Sequence, residues 1–208
     1  MLELFVSTFA TLFVVIDPVG CAPIFAGLTQ GHTPRSASTV AIRASLIATL
    51  VLFAFALFGK ALLGALHIEL NAFRIAGGIM LFLIALEMVF EKRTQRREDR
   101  ADKVKHTPDP QEDVSVFPMA MPMIAGPGSI ATVMLMTGQA HGLTPMLVVL
   151  AALAGVLALT ALALLTARPL MALLGSRVEA VITRVLGVLL AALAVQYVID
   201  GVRGVIGL

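Results

Sequence analysis

An aspartate lies in the middle of the first long apolar stretch of this chain. The stretch runs from Leu4 to Leu28 and can cross a bilayer, since about 20 apolar residues span the hydrocarbon core. Asp17 has no water at that depth, and Pro18 and Pro23 each lack a backbone N–H that a continuous helix needs. Broken backbone at membrane depth is tolerated only where it is buried in protein or lines a wet cavity. The stretch is therefore predicted to be a discontinuous transmembrane helix beside a binding site.

The chain has the composition of an integral membrane protein. Hydrophobic residues account for 59% of its 208 residues, whereas a soluble domain contains about 45–50%. The formal net charge of +2 is too small to indicate a nucleic-acid partner. Six apolar stretches are long enough to span a bilayer, and none shows the alternation of a barrel strand. The predicted spans are Leu4 to Leu28, Ala44 to Leu66, Leu70 to Phe90, Phe117 to Thr137, Pro145 to Ala167 and Val178 to Ile199.

Basic residues are concentrated in alternate loops. Arg35 and Arg43 follow the first span, residues 91–116 contain seven Lys or Arg, and Arg168 and Arg177 follow the fifth span. Because cytoplasmic loops carry an excess of Lys and Arg, these loops are predicted to be cytoplasmic and both termini to lie outside. Acidic residues balance the long loop, so it is predicted to be a solvated linker, with contact to anionic lipid as the alternative.

The two halves of the chain repeat the same features at a nearly constant distance. Arg74 and Arg184 each begin an Arg-x-x-Gly sequence, and they lie 110 positions apart. The helix breaks at Asp17 and Gly126 lie 109 positions apart. A chance match at one place is easy in so apolar a composition, but agreement at several places indicates a duplication.

Each half contains an odd number of spans, so the second copy is expected to be inverted in the membrane. The predicted fold is all-α, a polytopic membrane protein with six transmembrane helices arranged as a 3+3 inverted repeat. Its first and fourth helices are broken. Residues 1–90 form the first three-helix repeat, 91–116 the charged cytoplasmic linker and 117–208 the second three-helix repeat.

Inverted repeats often place their broken helices together at the bilayer midplane, which predicts a pocket between the first and fourth spans. Half-helix N-termini suit a carboxylate and half-helix C-termini suit an ammonium group, so a small zwitterion would satisfy this pocket. Glycines let the ligand approach the backbone, Ser129 adds a hydroxyl, and Asp17 adds an acceptor or a proton carrier. The predicted substrate-binding residues are Asp17, Pro18, Gly20, Cys21, Pro23, Gly126, Pro127, Gly128 and Ser129, and Asp17, Arg74 and Arg184 are predicted to couple or gate transport.

Each of these residue types also has a purely structural interpretation. Asp17 before Pro18 is a favourable helix start, and this role is compatible with ligand binding. Arg74 and Arg184 can extend toward the membrane surface. Pro118 and Pro122 can kink the fourth span. The glycines that most simply permit close helix packing are Gly77, Gly78, Gly155 and Gly187.

Catalysis is not expected of this chain. It contains neither His-Glu-x-x-His nor Gly-x-Ser-x-Gly, and the order of residues 126–129 differs from that of a nucleophile elbow. A Walker-type phosphate loop is also missing, and no metal or cofactor site is predicted. The competing classes are a passive channel, an exporter of another small solute, and a membrane protein whose role is to bind a partner. A pair of inverted broken helices favours a carrier that works by alternating access.

Two segments of the chain resemble the signature segments of the MarC family. They are residues 12–25, around Asp17 and Pro18, and residues 118–130, around Gly126 and Ser129. The resemblance covers nearly the whole chain and implies a six-span protein of the bacterial inner membrane. The termini that the basic loops place outside would then be periplasmic. The resemblance also implies transport of small neutral amino acids. Cys21 departs from the family pattern, in which a polar residue, often Asn, is expected.

The expected partners are therefore a small-molecule substrate and the lipid bilayer, and assembly into a homo-oligomer is left open. A carboxyl group at membrane depth can carry a proton, so H+ is the preferred coupling ion and Na+ the alternative.

Overall fold

The computed structural model of the chain describes residues 1–90 and 113–207, and every regular element among them is helical. The all-α class is therefore confirmed. Most of the predicted linker, 91–116, lies outside the described residues. Residues Ser115–Ile124 form an irregular helical stretch, called here the proline segment. The helices are α1 (Leu2–Ile16), α2 (Pro18–Leu28), α3 (Pro34–Ala65), α4 (Leu70–Val89), α5 (Pro127–Gln139), α6 (Leu143–Leu165) and α7 (Ala167–Ile206).

The helices provide up to six membrane crossings. Five segments of the described chain are long and apolar enough to span a bilayer, and the proline segment with α5 forms a sixth, bent by 52°. The first span is interrupted at Asp17, between α1 and α2. The first and fourth spans are thus the broken ones, as predicted, while the inverted 3+3 repeat stays a prediction.

Two helices extend well beyond the apolar stretches from which the spans were predicted. Thr33 caps α3 by accepting a hydrogen bond from the Ser36 N–H to its Oγ1 at 3.2 Å, so this helix begins ten residues before the predicted span at Ala44. The last helix begins at Ala167 and is interrupted at Gly175, where φ is 69°. Hydropathy marks the length that lies in lipid, whereas capping residues mark the length of the helix.

Small residues let the helices approach one another closely. α4 packs against α7, and the two run antiparallel because Gly78 faces Ala194 whereas Gly187 faces Met88. A Cβ on Gly78 would lie 2.8 Å from the carbonyl oxygen of Ala194, and a Cβ on Gly187 would lie 2.8 Å from Cβ of Met88. Both glycines are buried, and neither could carry a side chain without moving the facing helix. The predicted role of these glycines in close packing is confirmed.

The described ends of the basic segments lie close together in the bundle. Arg43 in the third turn of α3 pairs with Asp113, just before the proline segment, with 2.8 Å between Nη2 and Oδ2. Arg168 at the start of α7 donates from Nη2 to the carbonyl oxygens of Thr29 and His32, at 2.9 and 3.1 Å. These contacts place Arg43, Asp113 and Arg168 near the ends of neighbouring helices, and the orientation in the membrane stays a prediction.

Asp113 has the environment of a stabilised carboxylate. Its Oδ1 accepts hydrogen bonds from the hydroxyl of Ser115 at 2.6 Å and from the Ser115 N–H at 2.9 Å. The hydroxyl contact is the main cause that holds the pKa of Asp113 below its usual 3.8. The backbone N–H and the charge of Arg43 add to it, and partial burial opposes it.

We expect Asp113→Asn to lower the thermal stability of the protein at neutral pH and to have no effect in strong acid. Because the folded pKa lies below the unfolded value, the ionised carboxylate stabilises the fold above pH 3.8. That contribution is lost as the pH falls through the lowered folded value. The difference at neutral pH should not exceed about 1 kcal/mol, since the ion pair is exposed to solvent. Thermal unfolding in detergent as a function of pH measures it, and a difference that persists in strong acid would contradict the assignment.

Candidate functional site

The first break is built around the backbone and side chain of Asp17. This residue has left-handed dihedrals, φ 57° and ψ 68°, and is only 1% exposed. Its Oδ1 accepts a hydrogen bond from the Gly20 N–H at 3.0 Å and so caps α2. Asp tolerates the left-handed region better than most residues because its short side chain bonds locally to the backbone. The predicted helix-start role of Asp17 is therefore confirmed.

Gly20 leaves the room that the Asp17 carboxylate occupies. A Cβ at position 20 would overlap Oδ2 of Asp17 and would lie 2.8 Å from its Cγ. No larger residue can stand there while the carboxylate keeps its position. The requirement for glycine thus comes from the side chain that it faces.

Cys21 joins the two halves of the first span. It is fully buried, its N–H donates to the carbonyl oxygen of Asp17 at 3.1 Å, and its Sγ lies 3.6 Å from the carbonyl oxygen of Ile16. The carbonyls at the end of α1 have no intrahelical donor, and a thiol is a weak one. The cysteine therefore still provides a polar contact at the position where the resemblance predicts a polar side chain.

The second break follows two prolines. Phe117 and Met121 are extended, with ψ of 127° and 126°, and each precedes a proline through a cis peptide bond. A residue before proline is driven out of the helical region by the proline ring, which accounts for both interruptions. The backbone then turns at Gly126, where a Cβ would overlap the carbonyl oxygen of Pro122.

The N-terminus of α5 has no side-chain cap, whereas that of α2 is capped by Asp17. No side chain caps α5, and its first turn closes when the Ile130 N–H donates to the carbonyl oxygen of Gly126 at 3.0 Å. The N–H groups of Gly128 and Ser129 precede this bond and have no acceptor within the helix. Both residues are buried. Two buried donors therefore stand at the positive end of the α5 dipole.

The two breaks are in contact with each other. A Cβ placed on Gly128 would lie 3.6 Å from Cγ1 of Val15 in the last turn of α1, and α4 closes the other side with Ile84 at 2.5 Å and Leu81 at 3.6 Å. The two interrupted spans therefore meet beside their breaks. Among the residues predicted to bind substrate, Pro23 is half-buried and Pro127 is exposed. The members that are buried are Asp17, Pro18, Gly20, Cys21, Gly126, Gly128 and Ser129.

Arg74 lies away from the breaks. It is half-buried in the second turn of α4, where Nη1 is 3.4 Å from Oδ1 of Asn71 and 3.5 Å from the carbonyl oxygen of Asp200. Leu81, which faces the second break, comes seven residues later, or about 10 Å along the helix. A gating role for Arg74 would therefore have to act through α4 and stays a prediction.

Arg184 lies toward the other end of the pair formed by α4 and α7. Gly187, one turn after it, packs against Met88 near the end of α4, and the Arg184 side chain is exposed. The two arginines of the repeat therefore occupy opposite ends of the same helix pair.

Several buried threonine hydroxyl groups lie on α1 and α5 and were not predicted from the sequence to have a role. Thr8 and Thr11 on α1 and Thr132 on α5 are at most 5% exposed. The Thr8 hydroxyl and the Tyr197 hydroxyl each donate to Sδ of Met136, both at 3.8 Å. A signal existed, because Thr8 and Thr11 have the three-residue spacing of one helix face inside an apolar span.

Interrupted spans in contact inside a bundle of apolar helices define a polytopic integral membrane protein with a buried polar centre. The chain belongs to the MarC family of integral membrane proteins, which it matches over residues 2–206. The resemblance noted from the two sequence segments is thereby confirmed.

The relatives of the chain match it over nearly its whole length. A UPF0056 membrane protein of Methanocaldococcus jannaschii is 34% identical over 203 residues, 98% of each chain. The UPF0056 membrane protein YvbG of Bacillus subtilis is 35% identical and covers 98% of this chain and 96% of its own. The UPF0056 membrane protein YhcE of Escherichia coli is 29% identical and covers 95% of this chain and 91% of its own. No solved structure matches the chain.

Proposed function

We propose that this protein is a secondary transporter of small neutral amino acids such as alanine, glycine and serine. The observation that carries the proposal is the contact between the two interrupted spans through Val15 and Gly128. Interrupted helices that meet inside a bundle offer backbone groups to a solute at a depth where lipid offers none.

The two breaks offer both polarities that a zwitterion needs. The N–H groups of Gly128 and Ser129 suit a carboxylate, because they are donors at the positive end of a helix dipole. The last carbonyls of α1 and the Asp17 carboxylate suit an ammonium group. Ligand binding at the open N-terminus of α5 would leave the Asp17 cap of α2 in place.

The neighbours of the second break favour a short, uncharged side chain on the substrate. Gly128 is bordered by Val15, Leu81 and Ile84, all of them apolar and all within 3.6 Å of a Cβ at that position. A charged side chain would lose its hydration there without a partner. Small neutral amino acids fit both the backbone donors and acceptors at the breaks and these apolar side chains.

Transport would require the breaks to open to each side in turn. Asp17, Cys21 and Ser129 are at most 3% exposed, so this conformation is closed. In the proposed cycle the helices around the breaks open toward one side and then the other, with Asp17 carrying a proton or helping to hold Na+. The proposed location is the bacterial inner membrane, with the basic loops in the cytoplasm, and the direction of net transport is left unassigned.

The test is uptake and counterflow of radiolabelled alanine, glycine and serine in proteoliposomes, with proton and sodium gradients imposed separately. We expect saturable counterflow of at least one of these amino acids, and accumulation driven by one of the two gradients. Flux that neither saturates nor shows counterflow would identify a passive channel instead. No flux of any of them through folded protein would remove the amino-acid assignment.

A further inference from the structure

A second polar region lies at the end of the bundle that carries the basic loops. A cavity of about 200 Å³ opens there between the ends of α2 and α6 and the beginnings of α3 and α7. Its wall is mostly apolar, with Phe25 and Leu164 among the lining residues, and its polar groups come from Thr29, Ser38 and Arg168. A water molecule takes about 30 Å³ in the liquid, so the cavity can hold a small solute.

The cavity and the first break share one face of α2. Cys21, Phe25 and Thr29 follow one another at four-residue intervals, which places them on the same side of a helix. All three are at most 3% exposed. Cys21 belongs to the break and Thr29 lines the cavity, about 12 Å farther along the helix axis. Phe25 stands between them on this face and also lines the cavity.

Arg168 holds the end of α2 in its present position. Its Nη2 donates to the carbonyl oxygens of Thr29 and His32, at 2.9 and 3.1 Å, across a separation of more than 130 residues in the chain. Both acceptors are neutral. A carboxylate binds a guanidinium through two charge-assisted hydrogen bonds and competes well against neutral carbonyls.

We propose that this cavity is an entry site for carboxylate-bearing solutes and that Arg168 is its latch. A carboxylate that enters the cavity binds the Arg168 guanidinium in place of the carbonyl oxygens of Thr29 and His32. The end of α2 is then free to move, and this movement opens the route along Phe25 to the break. The proposal rests on the proposed transport function and adds to it the inner binding site and the group that closes it.

Cys21 provides the readout, since it is the only cysteine of the chain and is fully buried at the break. Its rate of alkylation by N-ethylmaleimide in proteoliposomes, followed by mass spectrometry, measures how often the route opens. Wild-type protein should react slowly. Alanine should raise the rate, and alanine amide, which keeps the ammonium group and lacks the carboxylate, should not.

Arg168→Gln should raise the rate without any ligand, by roughly tenfold or more, because two hydrogen bonds from a charged group are lost. Alanine should then have little further effect. The matched control is Arg35→Gln, which removes another exposed arginine at the same end of the bundle, outside the cavity lining. The control should react at the wild-type rate. Arg168→Lys keeps the charge but not the planar fork, and should react at an intermediate rate.

Equal alkylation rates for wild-type protein and a folded Arg168→Gln variant would overturn the latch. So would an equal increase in the Arg35→Gln control. If Arg168→Gln does not fold, the lysine variant and the comparison of alanine with alanine amide decide the question in the same way. Faster alkylation of Arg168→Gln in a protein that transports no amino acid would support the latch and remove the proposed substrate. Saturable alanine transport with an unchanged alkylation rate in Arg168→Gln would support the proposed substrate and overturn the latch.

Discussion

Replacing Asp17 by Asn should leave a folded protein that still exchanges alanine across the membrane but no longer accumulates it. Asn has nearly the same shape as Asp, tolerates the left-handed backbone found at position 17, and can accept the hydrogen bond that the Gly20 N–H now donates to Oδ1. It cannot carry a proton or balance a cation. Counterflow should therefore survive, while gradient-driven uptake and its pH dependence should disappear.

Asp17→Ala is the comparison that separates charge from structure. Alanine loses the cap, which costs about 1 kcal/mol, and it must also hold a left-handed backbone, which costs roughly 1–2 kcal/mol more. We expect this variant to unfold at a lower temperature than Asp17→Asn, and to lose counterflow as well as accumulation. Concentrative uptake with its full pH dependence in Asp17→Asn would show that coupling resides elsewhere.

Gly20→Ala should abolish transport although it adds a single methyl group. That methyl group would overlap Oδ2 of Asp17, so the carboxylate would have to leave its place and the cap of α2 would break. Overpacking of this kind costs about 1–3 kcal/mol. Thermal unfolding and counterflow, measured on the same preparation, should both decline.

Gly64→Ala is the matched control for Gly20→Ala. Gly64 also lies inside a helix, but a Cβ there would meet no atom within 4 Å. Alanine at that position should be neutral or stabilising by about 0.5–1 kcal/mol, because it restricts the unfolded chain. If Gly20→Ala transported alanine as well as this control does, the close contact between Gly20 and Asp17 would not matter for function.

The starts of α2 and α5 both follow from residue types in the sequence, but the side chains that surround them do not. Asp17 before Pro18 predicts a helix start, and the structure contains that cap. The residue before Pro127 is Gly126, which has no side chain, so a start of α5 without a side-chain cap agrees with the sequence. The sequence does not indicate that Val15 and Ile84 lie beside this start, because hydropathy does not specify how a helix is rotated about its axis.

Hydropathy, proline and glycine in the sequence by themselves determined that the chain is an all-α membrane protein, where its spans lie, and that the first and fourth are broken. The reason is physical, since lipid tolerates only backbone that is bonded within its own segment or sheltered by protein. Only the tertiary structure decided that Val15 meets Gly128, that Arg74 lies about 10 Å along α4 from the second break, and that Arg168 holds the end of α2. These contacts depend on how each helix is rotated about its axis. Lipid and protein interior are similarly apolar, so hydropathy carries little signal for that rotation.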